Sequence, residues 1–289
     1  MYTNYTSEEL RSICRNSIEA FEMWGRRIIH EKMTEKYGSS YCDAKSETGE
    51  YIIKSEIRKR LQKDTMSGQA DVGRSVDRML LDDIVYFLCH VRLYKELFKP
   101  ILDKVFPMGV DTARAFLKRL VPIRNALSHS RPISRRQAEQ AVCYSNDFID
   151  GLKEYYKEQG MERVWNVPRV IRLNDSFGNE FDVTNDNRYG GSNITVNQPL
   201  YPGELYTIQI EVDSSFEESE YTITWKKAHK SMDEMKNQKR VSIPITIDDV
   251  GIMLLVTVHI ISNRSWHKYR TYDHAIAIAL CVYPPRDEY

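Results

Sequence analysis

Apolar residues recur at helical spacing through about the first 160 residues of the chain. Residues 6–9 have the sequence of a capping box, and an amphipathic run follows them to about Lys36. A charged helix is predicted over residues 50–63. A longer helix is predicted over residues 74–106, and Pro100 should kink or end it. Polar breaks separate these helices at residues 37–49 and 66–73.

Two further helices are predicted on either side of a proline-containing turn. Asp111 is expected to cap a helix that runs through residues 124–129, and Pro132 should stop that helix. Ser134 then begins the last helix of this half. The pattern therefore predicts an α-helical domain over residues 1–163.

The pattern changes to strand spacing from about Val164 onward. Short runs of β-branched and aromatic residues lie between turn residues, and the polar, glycine-containing stretch 182–192 is predicted to be a loop. About seven short strands favour an all-β sandwich over residues 164–289, so the whole chain is predicted to be a two-domain α+β protein. The candidate strands are residues 169–173, 194–196, 205–212, 221–227, 240–247, 251–261 and 275–282.

Charge is divided unevenly between the two halves. Residues 1–165 hold 28 Arg and Lys against 24 Asp and Glu, whereas residues 166–289 hold 13 against 17. A mildly basic half permits a polyanionic partner but does not require one. The 5 cysteines are odd in number and form no Cys-x-x-Cys pair, which argues against a disulfide framework or a zinc site. The same cysteine usage favours a cytoplasmic protein. No apolar run approaches about 20 residues, so we expect no membrane-spanning segment.

Arg124 and His129 carry the clearest chemistry in the sequence. The surrounding residues 112–138 include seven Arg or Lys and no Asp or Glu. Arginine is a permanently charged, planar clamp for phosphate oxygens, and histidine can take or give a proton near neutral pH, so the pair suits phosphodiester cleavage. On an ideal helix the two side chains would lie roughly 140° apart. We therefore expect the pair to act at a helix end or across a dimer.

The segment RNALSHSRPIS, residues 124–134, resembles the signature of the HEPN superfamily. In that signature a histidine follows an arginine by a few residues, often with a polar residue directly after the arginine. Arg124, Asn125 and His129 occupy these places, and the flanking helices extend the resemblance over about residues 74–157. The resemblance implies that these three residues are catalytic in a metal-independent endoribonuclease. It also implies a homodimer without a cofactor, in an antiviral defence or toxin system.

The resemblance also bears on further residues and on the partner. Many relatives carry an acidic or polar residue on an earlier helix, for which Asp82, Asp83 and Glu96 are equal candidates. RNA is the expected partner, because the family acts on RNA and the motif lies in a basic stretch. The residues expected to bind RNA are Arg114, Lys118, Arg119, Arg131, Arg135 and Arg136.

A different class of protein fits the same residues. A HEPN-like domain without catalysis would bind RNA or a nucleotide, or serve assembly, while the β-sandwich mediates protein interaction. Arg124 would then be a surface arginine paired with a carboxylate, and His129 a helix-end histidine favoured by the macrodipole. The intact Arg/His pair favours the enzyme.

The residues of the β half favour structural and interaction roles. Trp225, on a middle strand, resembles the core tryptophan of immunoglobulin-like domains, although no cysteine pair accompanies it. His259, His267 and His274 match no tight set of metal ligands, so no metal is expected. Residues 264–272 combine aromatic and basic side chains, which fits a hairpin packed by aromatics or an exposed binding loop. We expect this domain to serve a protein partner or the control of activity.

Overall fold

The chain separates into two compact units, Met1–Gln159 and Gly160–Tyr289. The first is helical and the second is built from β-sheets, so the predicted α+β class is confirmed. Three predictions lie wholly or mostly outside the described residues: the boundary at 163/164, the break at 66–73 and the loop at 182–192. The computed structural model describes residues 5–62, 75–162, 166–183 and 192–285.

Short and long helices make up the described part of the first unit. A π-helical turn, Tyr94–Phe98, joins the fourth helix to the fifth. The helices are α1 Ser7–Tyr37, α2 Ser55–Gln62, α3 Leu81–Cys89, α4 Val91–Leu93, α5 Lys99–Leu102, α6 Val110–Leu117, α7 Leu120–Ser128 and α8 Arg135–Glu158.

Helix α1 lies at the centre of this unit. It begins at the predicted capping box, in which the Thr6 hydroxyl accepts from the Glu9 N–H and the Glu9 carboxylate accepts from the Thr6 N–H. Residues 21–25 are buried on every side of the helix. A helix buried all round must be enclosed by neighbours, and α1 contacts α3, α7 and α8. The rings of Phe21 and Phe148, 4.7 Å apart, join it to α8.

The charged helix predicted over residues 50–63 begins later than expected, at Ser55. Its predicted start belongs to a turn, in which the Ser46 N–H donates to the Glu50 carbonyl at 2.7 Å. Gly49 lies in this turn at φ 83°, a left-handed conformation that glycine adopts without strain. Pairing across the turn therefore replaces the first helical turn.

The long helix predicted over residues 74–106 is interrupted at His90. This residue is extended, with φ −69° and ψ 123°, and separates α3 from α4. Pro100 distorts the second part, as predicted. The Lys99 N–H donates to the carbonyl of Tyr94, which is the longer hydrogen bond of a π-helical turn directly before the proline. The wider turn accommodates a residue that has no N–H to donate.

The helix predicted to run into residues 124–129 is in fact two helices. Gly109, at φ 94°, is the N-cap of α6, and Asp111 lies in the first turn, so the predicted cap was wrong. The chain breaks at residues 118–119, which places Pro122 in the first turn of α7. In a continuous helix the ring of Pro122 would collide with the carbonyl four residues earlier, whereas a first turn tolerates proline.

Two sheets form the described part of the second unit. Their strand orders are β2-β1-β4-β7 and β3-β9-β8-β5-β6, and β3 runs parallel to β9. Every predicted strand is present with ends within three residues, whereas the short β2 and β6 were not predicted. The strands are β1 Val170–Asp175, β2 Glu180–Asp182, β3 Ser192–Thr195, β4 Leu205–Val212, β5 Tyr221–Lys227, β6 Lys230–Ser231, β7 Arg240–Pro244, β8 Gly251–Ser262 and β9 His274–Val282.

Each sheet buries one face. Every second residue of β4 and of β9 is buried, which is the two-residue period of a strand packed on one side. Two large polar aromatics of this core, Trp225 and Tyr206, satisfy their polar atoms. Trp225 Nε1 donates to the Gln238 carbonyl at 3.0 Å, and the Tyr206 hydroxyl donates to Asp175 at 3.0 Å. Buried rings with paired polar ends stabilise both sheets.

We predict that Gly25→Ala destabilises the helical unit. An added Cβ would lie 2.7 Å from Cγ2 of Ile84, a branched methyl that cannot swing away. Overpacking of this kind costs about 1–3 kcal/mol, against a gain in helix propensity of about 1 kcal/mol. Urea unfolding should therefore show a net loss in the free energy of unfolding. The double variant Gly25→Ala/Ile84→Leu, which lacks that methyl, should recover most of it. An unchanged midpoint in Gly25→Ala would contradict the close packing of α1 on α3.

Candidate functional site

The C-terminal turn of α7 presents His129 to solvent. His129 is the C-cap, and its N–H donates to the Asn125 carbonyl at 3.1 Å. Ser130 follows at φ 52°, and the N–H of Arg131 closes the turn on the Ala126 carbonyl at 2.8 Å. This is a Schellman motif with serine at the position that usually holds glycine. The turn leaves the imidazole exposed and, within the described residues, without a hydrogen-bond partner.

Arg11 of α1 holds this turn in place. Its Nη2 donates to the Leu127 carbonyl at 3.1 Å, and its Nη1 donates to the Arg131 carbonyl. The last carbonyls of a helix have no partner inside the helix, so a guanidinium that binds the Leu127 carbonyl and the Arg131 carbonyl just beyond the helix ties this end of α7 to α1. The position of His129 therefore depends on a residue more than a hundred positions away in sequence.

Arg124 lies on the side of α7 that faces α1. Its side chain is 31% exposed, and its Nε lies 3.6 Å from Oε1 of Glu22, whose side chain is 12% exposed. Glu22 also accepts from Arg26 at 2.7 Å, and Arg26 donates to the Met79 carbonyl. Two arginines thus neutralise one buried carboxylate, as burial of a charge requires. The contact with Glu22 orients Arg124. The two Nη atoms of Arg124 have no hydrogen-bond partner among the described residues.

The exposed face of α7 carries polar residues beside this arginine. Asn125 and Ser128 are exposed, like His129, and the spacing of the three places them on one face. The Ser128 hydroxyl donates to the Arg124 carbonyl at 3.1 Å, so it belongs to the helix backbone rather than to a reactive site. Arg124 therefore lies on the side of α7 that faces α1, whereas His129 lies on the exposed side of the same helix end.

Glu22 is the acidic neighbour that sequence reasoning missed. Among the three candidate carboxylates, Asp83 is buried against Arg60 and the Leu80 N–H. Glu96 binds Lys36, and this hydrogen bond lowers the pKa of its carboxyl. The sequence signal for Glu22 was a charged residue inside the otherwise apolar stretch 21–25.

The third candidate, Asp82, lies away from this helix end. It is exposed and lines a cavity beside α3.

The six predicted RNA-binding residues fall into two groups along the chain. In the first group, Arg114 donates to Asp111 at 2.5 Å and to the Cys89 carbonyl at 2.6 Å. Arg119 donates to the Tyr144 hydroxyl at 2.9 Å. This group, Arg114, Lys118 and Arg119, belongs to α6 and the break that follows it. The second group, Arg131, Arg135 and Arg136, is exposed and follows His129 directly.

The start of α8 favours an anion. Ser134 and Gln137 form a reciprocal capping box, in which the Gln137 N–H donates to the Ser134 hydroxyl at 3.2 Å. Arg135 and Arg136 occupy the first turn, which contains no acidic residue. Positive charges at a helix N-terminus interact unfavourably with the helix dipole, which destabilises the helix by some tenths of a kcal/mol. A bound anion would relieve this repulsion and use the free N–H groups.

The aromatic and histidine cluster of the β unit is packed and hydrogen-bonded. Buried Asp273 accepts from the Ser262 N–H at 2.7 Å and the Lys268 N–H at 2.8 Å. His259 stacks on Tyr272 with ring centroids 4.7 Å apart, and burial lowers its pKa. These contacts favour the packed hairpin over the exposed binding loop. Among the residues that the structure describes, no three His, Cys, Asp or Glu side chains are grouped to hold a metal.

We predict that Arg11→Met loosens the turn that carries His129. Loss of two charge-assisted hydrogen bonds should lower the free energy of unfolding by about 1–3 kcal/mol. It should also speed hydrogen exchange at the amides of Ser130 and Arg131. The control is Arg15→Met, an exposed arginine on the same helix, which should change stability by less than about 0.5 kcal/mol. Equal exchange rates in the two variants would contradict the role given to Arg11.

Comparison with protein-family models, with curated proteins and with solved structures finds no match to the chain. The HEPN-like and immunoglobulin-like assignments therefore stay predictions from residues and strand order. Within the described residues, no helix is both long and apolar enough to cross a membrane.

Proposed function

We propose that the helical unit is a metal-independent endoribonuclease of the HEPN type, with Arg124 and His129 acting on the scissile phosphate. One observation carries this proposal. An exposed imidazole lies at the end of α7, and five residues earlier the same helix carries a half-buried guanidinium whose Nη atoms have no hydrogen-bond partner in the described chain. A group that moves protons and a fixed cation thus share one helix end. A setting in antiviral defence or a toxin system follows from the family resemblance alone.

The chemistry needs no metal. A base takes the proton of the 2′-hydroxyl, the 2′-oxygen attacks phosphorus, and the bond to the 5′-oxygen breaks as that oxygen takes a proton. The products are a 2′,3′-cyclic phosphate and a 5′-hydroxyl. His129 transfers the proton, and Arg124 stabilises the negative charge that builds up on the phosphate oxygens. Asn125, exposed between them, donates to the same phosphate or to the ribose.

Glu22 acts as a positioning residue in this scheme. It accepts from Arg26 and lies 3.6 Å from Nε of Arg124, so it restrains the guanidinium without occupying its Nη atoms. An arginine bound in this way loses little conformational freedom when it meets a phosphate. The phosphate then binds the two Nη atoms side by side.

A second copy of the chain completes the site. The reaction uses a base and an acid, and each chain offers one histidine at this helix end. We propose a two-fold homodimer in which the exposed faces of two α7 helices meet, so that two His129 side chains flank one phosphate. The exposure of Asn125, Ser128 and His129 supports this arrangement.

The second basic group is proposed to hold the RNA strand. Arg131, Arg135 and Arg136 are exposed next to His129, at the N-terminus of a 24-residue helix. Such a surface attracts phosphates on either side of the cleaved bond. In the first group, Arg114 and Arg119 donate hydrogen bonds within the protein.

The β unit is proposed to be an immunoglobulin-like sandwich that meets a protein partner. The orders β1-β4-β7 and β9-β8-β5 correspond to strands A-B-E and G-F-C of such a sandwich, and buried Trp225 lies on the strand that corresponds to C. The described part of this unit also exposes several large apolar side chains, which we propose as contact points for that partner. They include Leu205, Ile247, Ile252, Met253 and Tyr283.

The test of catalysis is cleavage of a labelled single-stranded RNA in EDTA. The wild-type chain should produce 2′,3′-cyclic phosphate ends. His129→Asn and Arg124→Ala should each lower the rate by about 10²-fold or more, because each removes a proton-transferring or charge-stabilising group. His229→Asn and Arg15→Ala, at exposed positions elsewhere, are the matched controls.

Two results would overturn the proposal. Full cleavage by His129→Asn would remove His129 from the chemical step, and RNA binding by the wild-type chain without cleavage would refute the enzyme. The second result would favour the binding module. Light scattering of the active sample should give the mass of a dimer, and an active monomer would remove the second copy from the proposal.

RNA binding is predicted to depend on the second basic group. In a His129→Asn background, the double variant Arg135→Glu/Arg136→Glu should weaken RNA binding. It should also flatten the log–log dependence of affinity on salt by about 0.7 for each phosphate that the protein no longer neutralises. Lys59→Glu/Lys95→Glu makes the same change in charge at exposed residues of other helices. An equal decrease in affinity in both double variants would mean that only overall charge matters.

A further inference from the structure

A cavity of about 630 Å³ lies in the helical unit, on the side of α3 that faces α6 and the first turn of α7. Lys54, in the segment before α2, closes one side of it. This volume falls within the range of pockets that hold small organic ligands. The proposed cleavage chemistry uses the opposite end of α7 and leaves this cavity without a role.

The wall of the cavity is largely apolar. Val85 from α3 and Val121 and Pro122 from α7 contribute aliphatic surface, and Tyr86 contributes an aromatic ring. The Tyr86 hydroxyl donates to the Ile52 carbonyl at 3.4 Å, so its polar end is turned to the protein backbone. A ligand with an apolar or aromatic body fits these surfaces.

Positive charge is concentrated around that wall. Lys54, Arg114 and Lys118 line the cavity, against Asp82 as the one acidic residue among the described lining residues. The Lys54 ammonium lies 4.6 Å from the centroid of the Tyr86 ring. Hydrogen bonds to Asp111 and to the Cys89 carbonyl fix the guanidinium of Arg114. The lining is therefore complementary to an anion.

His90 adds an unsatisfied polar atom. It lines the cavity at the extended break between α3 and α4, and its Nδ1 is buried without a hydrogen-bond partner. A buried polar atom that stays unpaired costs about 1–3 kcal/mol. Burial, followed by the charges of Arg92, Lys54 and Arg114, lowers the pKa of His90. The neutral ring can therefore accept or donate one hydrogen bond.

We propose that this cavity is a binding site for a small amphipathic anion: an aromatic or aliphatic body bearing one carboxylate, sulfonate or phosphate. The apolar body lies against Val85, Val121 and Tyr86, and the anionic group is held by Lys54 and Lys118. The site is distinct from the Arg124/His129 end of α7 and functions whether or not the chain cleaves RNA.

Two fluorescent probes with the same aromatic body test the proposal. Anilinonaphthalene sulfonate carries the anion, and N-phenyl-naphthylamine lacks it. The folded wild-type chain should bind the sulfonate in preference to the neutral probe at low salt. Lys54→Glu/Lys118→Glu should lower that preference by about tenfold or more, because two attractive charges become repulsive. Lys59→Glu/Lys95→Glu, at exposed lysines outside the cavity, should leave it unchanged.

A steric variant separates the cavity from the rest of the surface. Val121→Trp fills the space beside α7 and should abolish binding of both probes, while circular dichroism and thermal unfolding confirm that the variant is folded. Undiminished sulfonate binding by folded Val121→Trp would overturn the cavity as the site. Equal preference for the sulfonate in the two Glu double variants would overturn the anionic part, as would no preference in the wild type.

Discussion

A carboxylate buried in the most enclosed helix must be neutralised, and the helical unit is organised around that requirement. Glu22 lies in the stretch of α1 that is buried on all sides. Its charge is balanced by Arg26 from its own helix and by Arg124 from α7. Because an unpaired buried charge is strongly destabilising, the packing of α7 on α1 and the orientation of Arg124 depend on the same contact. Stability and the candidate chemistry are therefore linked through one side chain.

Helix α1 restrains α7 at a second point. Arg11 binds the carbonyls of Leu127 and Arg131 at the end of α7, while Glu22 restrains Arg124 one turn earlier. Both contacts lie on the buried side of the helix. The opposite side, with Asn125 and His129, is left exposed and polar. A site that binds a large, flexible substrate needs a buried face that is held rigidly and an exposed face that the substrate can reach.

The spacing of apolar residues predicted much of the fold, because the 3.6-residue period of helices and the two-residue period of strands both reflect burial. The strands at 205–212 and 221–227 were predicted with correct ends, since alternation there follows one buried face. Helix ends were less accurate where a single backbone feature decides them. Gly109 replaced Asp111 as the cap of α6, and the turn around Gly49 displaced the start of α2. The spacing of apolar residues does not report which residue near a helix start adopts a left-handed conformation.

The candidate site was predictable only in part. Arg124 and His129 stand close together in sequence, so their spacing could be read directly. Glu22 and Arg11 reach the same helix through tertiary packing, and no local pattern links residues about a hundred positions apart. The cavity lined by Lys54 and His90 depends on how α3 and α6 meet, which the spacing of apolar residues does not specify.

The proline at the start of α7 has a consequence for how this chain tolerates insertions and deletions. Since Pro122 lies in the first turn of a new helix, the angular phase of Arg124 and His129 is counted from the start of α7 and not from α6. Residues added at 118–119 lengthen a linker and leave the phase unchanged. One residue added after the proline turns everything beyond it by about 100°, which moves Arg124 away from Glu22. Insertions and deletions are therefore tolerated at residues 118–119, whereas α7 beyond Pro122 requires a fixed length.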